Sequence, residues 1–157
     1  MDAMDYPAQN AGKGGGAVVP VIPLEKLTLE LPFCGTVPAG FPSPADDYLE
    51  ERLSLDKYII KNPSSTFFLK VEGLSMINAG IYPDDILVVD RSLEPQPGDV
   101  IVAVLEGEFT VKRFVKEGGQ YYLKPENKEY KPVLLHADID FLAWGVVTHV
   151  IHKPYEL

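Results

Sequence analysis

Residues 99–127 read DVIVAVLEGEFTVKRFVKEGGQYYLKPEN: three runs rich in Val, Ile, Phe and Tyr, separated by Glu106-Gly107 and Gly118-Gly119. β-Branched and aromatic side chains suit a pleated, half-buried surface, and a two-residue connection ending in glycine marks a tight hairpin. The stretch therefore predicts successive strands joined by compact turns. The same character continues on both sides, in TFFLKVEG at 66–73, DILVVDRS at 85–92 and FLAWGVVTHVIH at 141–152. Six strands within residues 66–152, with no helical pattern between them, predict an antiparallel or mixed sheet rather than a βαβ fold.

Upstream the character changes near residue 45. DDYLEERLSLDKYII at 46–60 predicts a short helix with Asp46 as N-cap and Tyr48, Leu49, Leu53, Ile59 and Ile60 toward the core. Asn62-Pro63 ends it. Seven of the 14 prolines and six of the 13 glycines lie in the first 44 residues. GKGGG at 12–16 reads as flexible coil. AVVPVIPLEKLTLELPF at 17–33 is apolar but interrupted by proline, which donates no amide hydrogen bond. It reads as an edge strand at most, or an extended arm packing on its own body or on a partner. The expected fold is mainly β, with a short helix before the sheet and an extended, flexible N-terminal arm.

Composition narrows the function. Across 157 residues, 14 Lys and Arg face 23 Asp and Glu, a formal net charge of −9. Strong direct binding to nucleic acid is not expected, because neutralising phosphates takes a surplus of cationic side chains. Hydrophobic residues at 46% and charged residues at 24% exclude wholesale disorder. No apolar run approaches the roughly 18–20 residues of a membrane span, so no membrane association is expected. The opening MDAMDYPAQN lacks the basic and apolar pattern of a signal peptide. The single cysteine, Cys34, makes no internal disulfide and no cysteine-based zinc site, which points to a reducing, cytoplasmic setting.

Two places carry candidate chemistry. In VEGLSMINAG at 71–80, a strand ends at Gly73 and Ser75 follows two positions on. A serine at such a turn presents its hydroxyl where backbone amides converge on an oxyanion, although a turn serine also serves simply to cap a short helix. Lys112 sits inside the strand EFTVKRF. Pointing outward it is an ordinary solvated lysine. Pointing inward it loses hydration, its pKa falls, and the neutral amine becomes a base for a serine.

The histidines offer less. His149 and His152 are three apart in a strand pattern and face opposite ways, and His136 has no spacing that ties it to Ser75. No clustered ligand set suggests a metal, and no cofactor is expected. Trp144 reads as core or interface packing. Asp84-Asp85 and Asp138–Asp140 read as turn caps and solvated faces.

Taken together, GLSMI and EFTVKR, whose lysine follows the serine by 37 residues, resemble the self-cleaving peptidase family of LexA repressor and UmuD. The intervening DILVVD at 85–90 and GDVIV at 98–102 resemble that family's pattern as well, and the likeness runs from about Ala39 to Ile151. The resemblance implies a β fold like the C-terminal domain of LexA, with Ser75 as nucleophile and Lys112 as general base.

It also implies a substrate, because such proteins cut themselves at Ala-Gly or Cys-Gly bonds just upstream of the catalytic core. Ala39-Gly40 is the first choice, since GFPSPADDYLEERL at 40–53 resembles the start of processed UmuD, and Cys34-Gly35 is the second. Residues 1–39 would then be the arm removed, and 40–157 the peptidase and dimerisation domain.

No DNA-binding domain precedes this pattern, which favours a UmuD-like protein over a repressor. The implied partners are a second copy in a homodimer, a RecA filament on single-stranded DNA that stimulates cleavage, and a UmuC-like, Y-family error-prone DNA polymerase subunit. A non-catalytic binding module, or a phage-type truncated repressor or antirepressor, would share the same fold.

Overall fold

The computed structural model describes residues 29–33, 39 and 51–154. Its main body is a seven-stranded sheet built from β3 (Thr66–Lys70), β4 (Ile86–Asp90), β5 (Val100–Leu105), β6 (Glu108–Glu117), β7 (Gln120–Lys124), β8 (Val133–Leu135) and β9 (Phe141–Ile151). The spatial order is β3-β4-β9-β5-β6-β7-β8, and every ladder is antiparallel. All six expected strands form. The two hairpin turns form as well, with positive φ at Glu106, Gly107, Gly118 and Gly119. That is the backbone that keeps a two-residue turn in step with strand twist.

The last strand lies in the interior of the sheet. β9 inserts between β4 and β5, joining the 66–90 pair to the meander that follows. It does so with two irregularities: Val102 pairs Gly145 while Ala103 pairs Ala143, and Val88 pairs His149 while Val89 pairs Val147. Trp144 and Thr148 are the extra residues, so β9 is bulged against both neighbours.

Two apolar clusters result. One joins Val71, Met76, Ile81, Leu87, Val89 and Val102; the other joins Ile101, Ala103, Leu123 and Val146. Burial of whole Val, Ile and Leu side chains, about 1.5–3 kcal/mol each, is the main force holding the sheet.

Three expectations need correction. The helix expected over 46–60 forms only in part: among the described residues, Glu51–Ser54 form strand β2, and helix α1 covers Leu55–Ile59. Its N-cap is Ser54 rather than Asp46, and Leu53 belongs to the strand. Asp46, Tyr48 and Leu49 lie outside the described residues.

The reason is a competing strand. Glu30–Phe33 (β1) pairs antiparallel with β2, Leu31 opposite Leu53 and Pro32 opposite Arg52, and that ladder takes the backbone groups a helix would need. β1 fits the expected limit on the apolar segment, an edge strand carrying one proline. The rest of 17–33, and GKGGG, lie outside the described residues.

The other two corrections are smaller. β8 was not foreseen, because three residues between Pro132 and His136 are too short for a periodic signal. Asp85 is buried rather than solvated. It caps a turn by accepting the Tyr82 amide at 2.8 Å, and its other oxygen lies 2.7 Å from His152 Nδ1. Asp84 is exposed and pairs with Lys70 at 2.8 Å, as a solvated face requires.

Candidate active site

Ser75 is held between a strand end and a buried anchor. After β3 the chain stays tied to β4, with the Val71 amide donating to the Asp85 carbonyl at 2.9 Å and the Asp84 amide to the Val71 carbonyl at 3.0 Å. Gly73 then turns the backbone at φ +81°. A side chain there would be strained, which is why glycine stands at this point of the motif. Ser75 follows, half-buried, and Met76 is 2% exposed within the first apolar cluster. A short 3-10 turn, Ile77–Ala79, closes on Gly80 in the left-handed region.

A loop across the groove fastens the same turn. The Glu126 amide donates to the Ser75 carbonyl at 2.8 Å, and the Asn78 amide donates to the Glu126 carbonyl at 2.9 Å. The Asn127 side-chain amide donates to the Leu74 carbonyl at 2.9 Å. Both peptide carbonyls flanking the Ser75 α-carbon are therefore occupied by this loop.

Lys112 comes from β6. The register sets it opposite Ile101 and sets Thr110 opposite Ala103, and both of those partners are fully buried. Of the two orientations open to this lysine, the structure adopts the partly buried one. Nζ lies 3.0 Å from Ser75 Oγ, 2.7 Å from Thr110 Oγ1 and 3.0 Å from the Val111 carbonyl oxygen. Burial lowers the Lys112 pKa from its ordinary 10.5, because the low-dielectric surroundings disfavour the ammonium. No carboxylate is among these three contacts to restore the charge. A neutral amine has two N–H bonds and one lone pair. In the neutral form, Thr110 Oγ1 and the Val111 carbonyl can accept both N–H bonds, which leaves the lone pair facing the serine hydroxyl.

Ser75 and Lys112 line one groove of about 440 Å³, with Gly73, Leu74, Thr110 and Tyr130 among its walls. None of the three histidines lines it. His149 packs against the Tyr58 ring, His152 lies against Asp85 and Tyr82, and His136 accepts the Asp138 amide at 3.3 Å. Trp144 packs on the first cluster and makes edge contacts with Phe67 and Phe109.

Ala39 is an exposed bend residue, whereas Gly40, Cys34 and Gly35 lie outside the described residues. Two parts of the site carried no prior expectation. Thr110 was detectable, since it stands two positions before Lys112 and so shares its face of the strand. Asn127 was not, because nothing local links it to a serine more than fifty residues earlier.

The arrangement is a hydroxyl beside a desolvated amine in a groove, the chemistry of a serine hydrolase that uses lysine as its base. The family model described as Peptidase S24-like matches residues 32–148. The chain belongs to the Peptidase S24-like family. Protein ImpA of Salmonella typhimurium is 45% identical to it over 125 residues, covering 80% of this chain and 85% of ImpA. Protein MucA of Escherichia coli is 43% identical over 120 residues, covering 75% of this chain and 82% of MucA. The LexA repressor of Clostridium perfringens is 39% identical over 111 residues, covering 71% of this chain and 55% of the repressor. The family and fold implied by GLSMI and EFTVKR are thus borne out, and the chain is a UmuD-like member of the family.

Proposed function

We propose that this chain is a UmuD-type protein of the SOS response that cleaves its own backbone between Ala39 and Gly40. The observation that carries the reading is the 3.0 Å approach of Lys112 Nζ to Ser75 Oγ, with the amine's other two contacts both acceptors. Lys112 takes the Ser75 proton as Oγ attacks the Ala39 carbonyl carbon. The Ser75 amide and a neighbouring amide hold the oxyanion. The carbon–nitrogen bond breaks, and the ammonium of Lys112 returns its proton to the leaving Gly40 amine. Lys112 then deprotonates a water that attacks the ester, and it returns that proton to Oγ as the C–Oγ bond breaks, which frees residues 1–39 and restores the serine and the neutral amine. The 157 − 39 = 118 residues left form the dimerising domain.

In this reading, RecA filaments on single-stranded DNA stimulate the cut, and the processed homodimer joins a UmuC-like, Y-family polymerase subunit. DNA contact then belongs to the partners, as the net charge of −9 favours. The extensive overlap with ImpA and MucA supports the UmuD-type reading.

Intact mass after incubation at alkaline pH, and separately with RecA filaments, tests it. The expected product begins at Gly40. A product five residues longer would place the cut at Cys34-Gly35 instead. Ser75→Ala and Lys112→Ala are expected to remain whole; cleavage of either variant at the parent rate rejects the assignment.

A further inference from the structure

We propose that Asn127 is a positioning residue that aims the Ser75 amide at the oxyanion. The inference rests on the self-cleavage reading above. A trans peptide directs its N–H opposite to its C=O, so whatever holds the Leu74 carbonyl also sets the direction of the Ser75 amide. Asn127 Nδ2 holds that carbonyl at 2.9 Å. The Asn127 side chain is itself oriented, because its Oδ1 accepts the Glu129 amide at 3.0 Å. With the oxygen committed to Glu129, the NH₂ group faces Leu74.

The loop that carries Asn127 is referenced to the strand that carries the base. Glu126 forms an ion pair with Arg113, the residue after Lys112, and Arg113 Nη1 donates to the Gly98 carbonyl at 2.7 Å. The Glu126 amide donates to the Ser75 carbonyl at 2.8 Å. Asn127 therefore acts within a frame that fixes the serine turn relative to β6. Without its donor, the Leu74–Ser75 peptide plane is free to rotate while the Ser75–Lys112 contact stays in place. The consequence is a weakened oxyanion site beside an intact dyad.

Asn127→Asp removes the donor to Leu74 and keeps an acceptor for the Glu129 amide; Asn127→Ala removes both and adds no charge. Loss of a direct oxyanion donor slows such reactions about 10²–10³-fold, so loss of its alignment is expected to slow self-cleavage about 10- to 100-fold in both variants. In Asn127→Ala the pH at which the rate is half-maximal is expected to match the parent, with the rate reduced at every pH. Thermal unfolding of Asn127→Asp within a few degrees of the parent separates this from general loosening. Cleavage of both variants at the parent rate overturns the proposal. So does a shift of the half-maximal pH in Asn127→Ala large enough to account for the lost rate, since the residue would then act through Lys112. Ser75→Ala and Lys112→Ala, run alongside, report on the dyad itself: if they cleave, the catalytic reading fails, whereas if they stay whole and the Asn127 variants are unaffected, only the positioning role fails.

Discussion

At the scale of single residues, the site is governed by one desolvated lysine. Lys112 is protonated in the unfolded chain up to about its ordinary 10.5, and burial lowers that value in the folded chain. Between the two values the unfolded chain binds more protons, so folding is penalised there and the penalty fades as pH rises toward 10.5. In a Ser75→Ala background, which removes the complication of cleavage, the stability of the protein relative to its Lys112→Met variant is expected to rise over that alkaline window. Chemical denaturation at a series of pH values checks it, and a flat difference would mean the amine is fully hydrated.

The same titration governs the reaction. Self-cleavage is expected to accelerate as Lys112 loses its proton and to level off below pH 10.5, which a rate–pH profile measures.

Asp90 behaves in the opposite sense. Burial alone pushes its carboxyl up, but hydrogen bonds from the Asn62 side chain (2.6 Å), from the Ser92 hydroxyl (2.6 Å) and amide (2.8 Å), and from the Ser65 hydroxyl (3.1 Å) outweigh burial and hold it at about 2. Its contribution is present above the ordinary value of 3.8 and is lost as pH falls through about 2. Asp90→Ala is expected to cost about 1.5–3 kcal/mol at neutral pH, read from denaturant unfolding, with the deficit shrinking in acid.

At the scale of elements, β9 holds the sheet together and has the least room for change. A Cβ on Gly145 would stand 2.6 Å from Val89 Cγ1 and 3.3 Å from the Asp90 carbonyl oxygen, where β9 passes the end of β4. Gly145→Ala is therefore expected to destabilise by about 1–3 kcal/mol, because the clash involves a packed side chain and backbone together. A thermal-shift measurement suffices, and an unchanged midpoint would show that β9 relaxes away.

The elements also show where local reading succeeds. DVIVAVLEG, EFTVKRFVKEG and QYYLKPEN carried their strands and turns in plain view, since β-branched runs and glycine-ended turns are local properties. ERLS at 51–54 did not, because a four-residue stretch is committed to strand only by the partner β1 that lies beside it.

At the scale of the whole molecule, the seven described strands of the sheet all fall within residues 66–151. The 40–157 product is expected to keep the β circular-dichroism spectrum and a cooperative unfolding transition, losing at most the β1–β2 pairing. Loss of cooperativity would mean the arm is part of the core. The site likewise divides by scale. The β class, the two hairpins, the serine turn after Gly73 and the lysine strand are legible in the amino-acid order, because periodicity, turn chemistry and short motifs act over a few neighbouring residues. Tertiary structure alone decided that Lys112 is partly buried beside Ser75, that β9 lies between β4 and β5, and that Asn127 reaches the Leu74 carbonyl. Those outcomes depend on which surfaces exclude water from one another across tens of residues, and no local pattern encodes that exclusion.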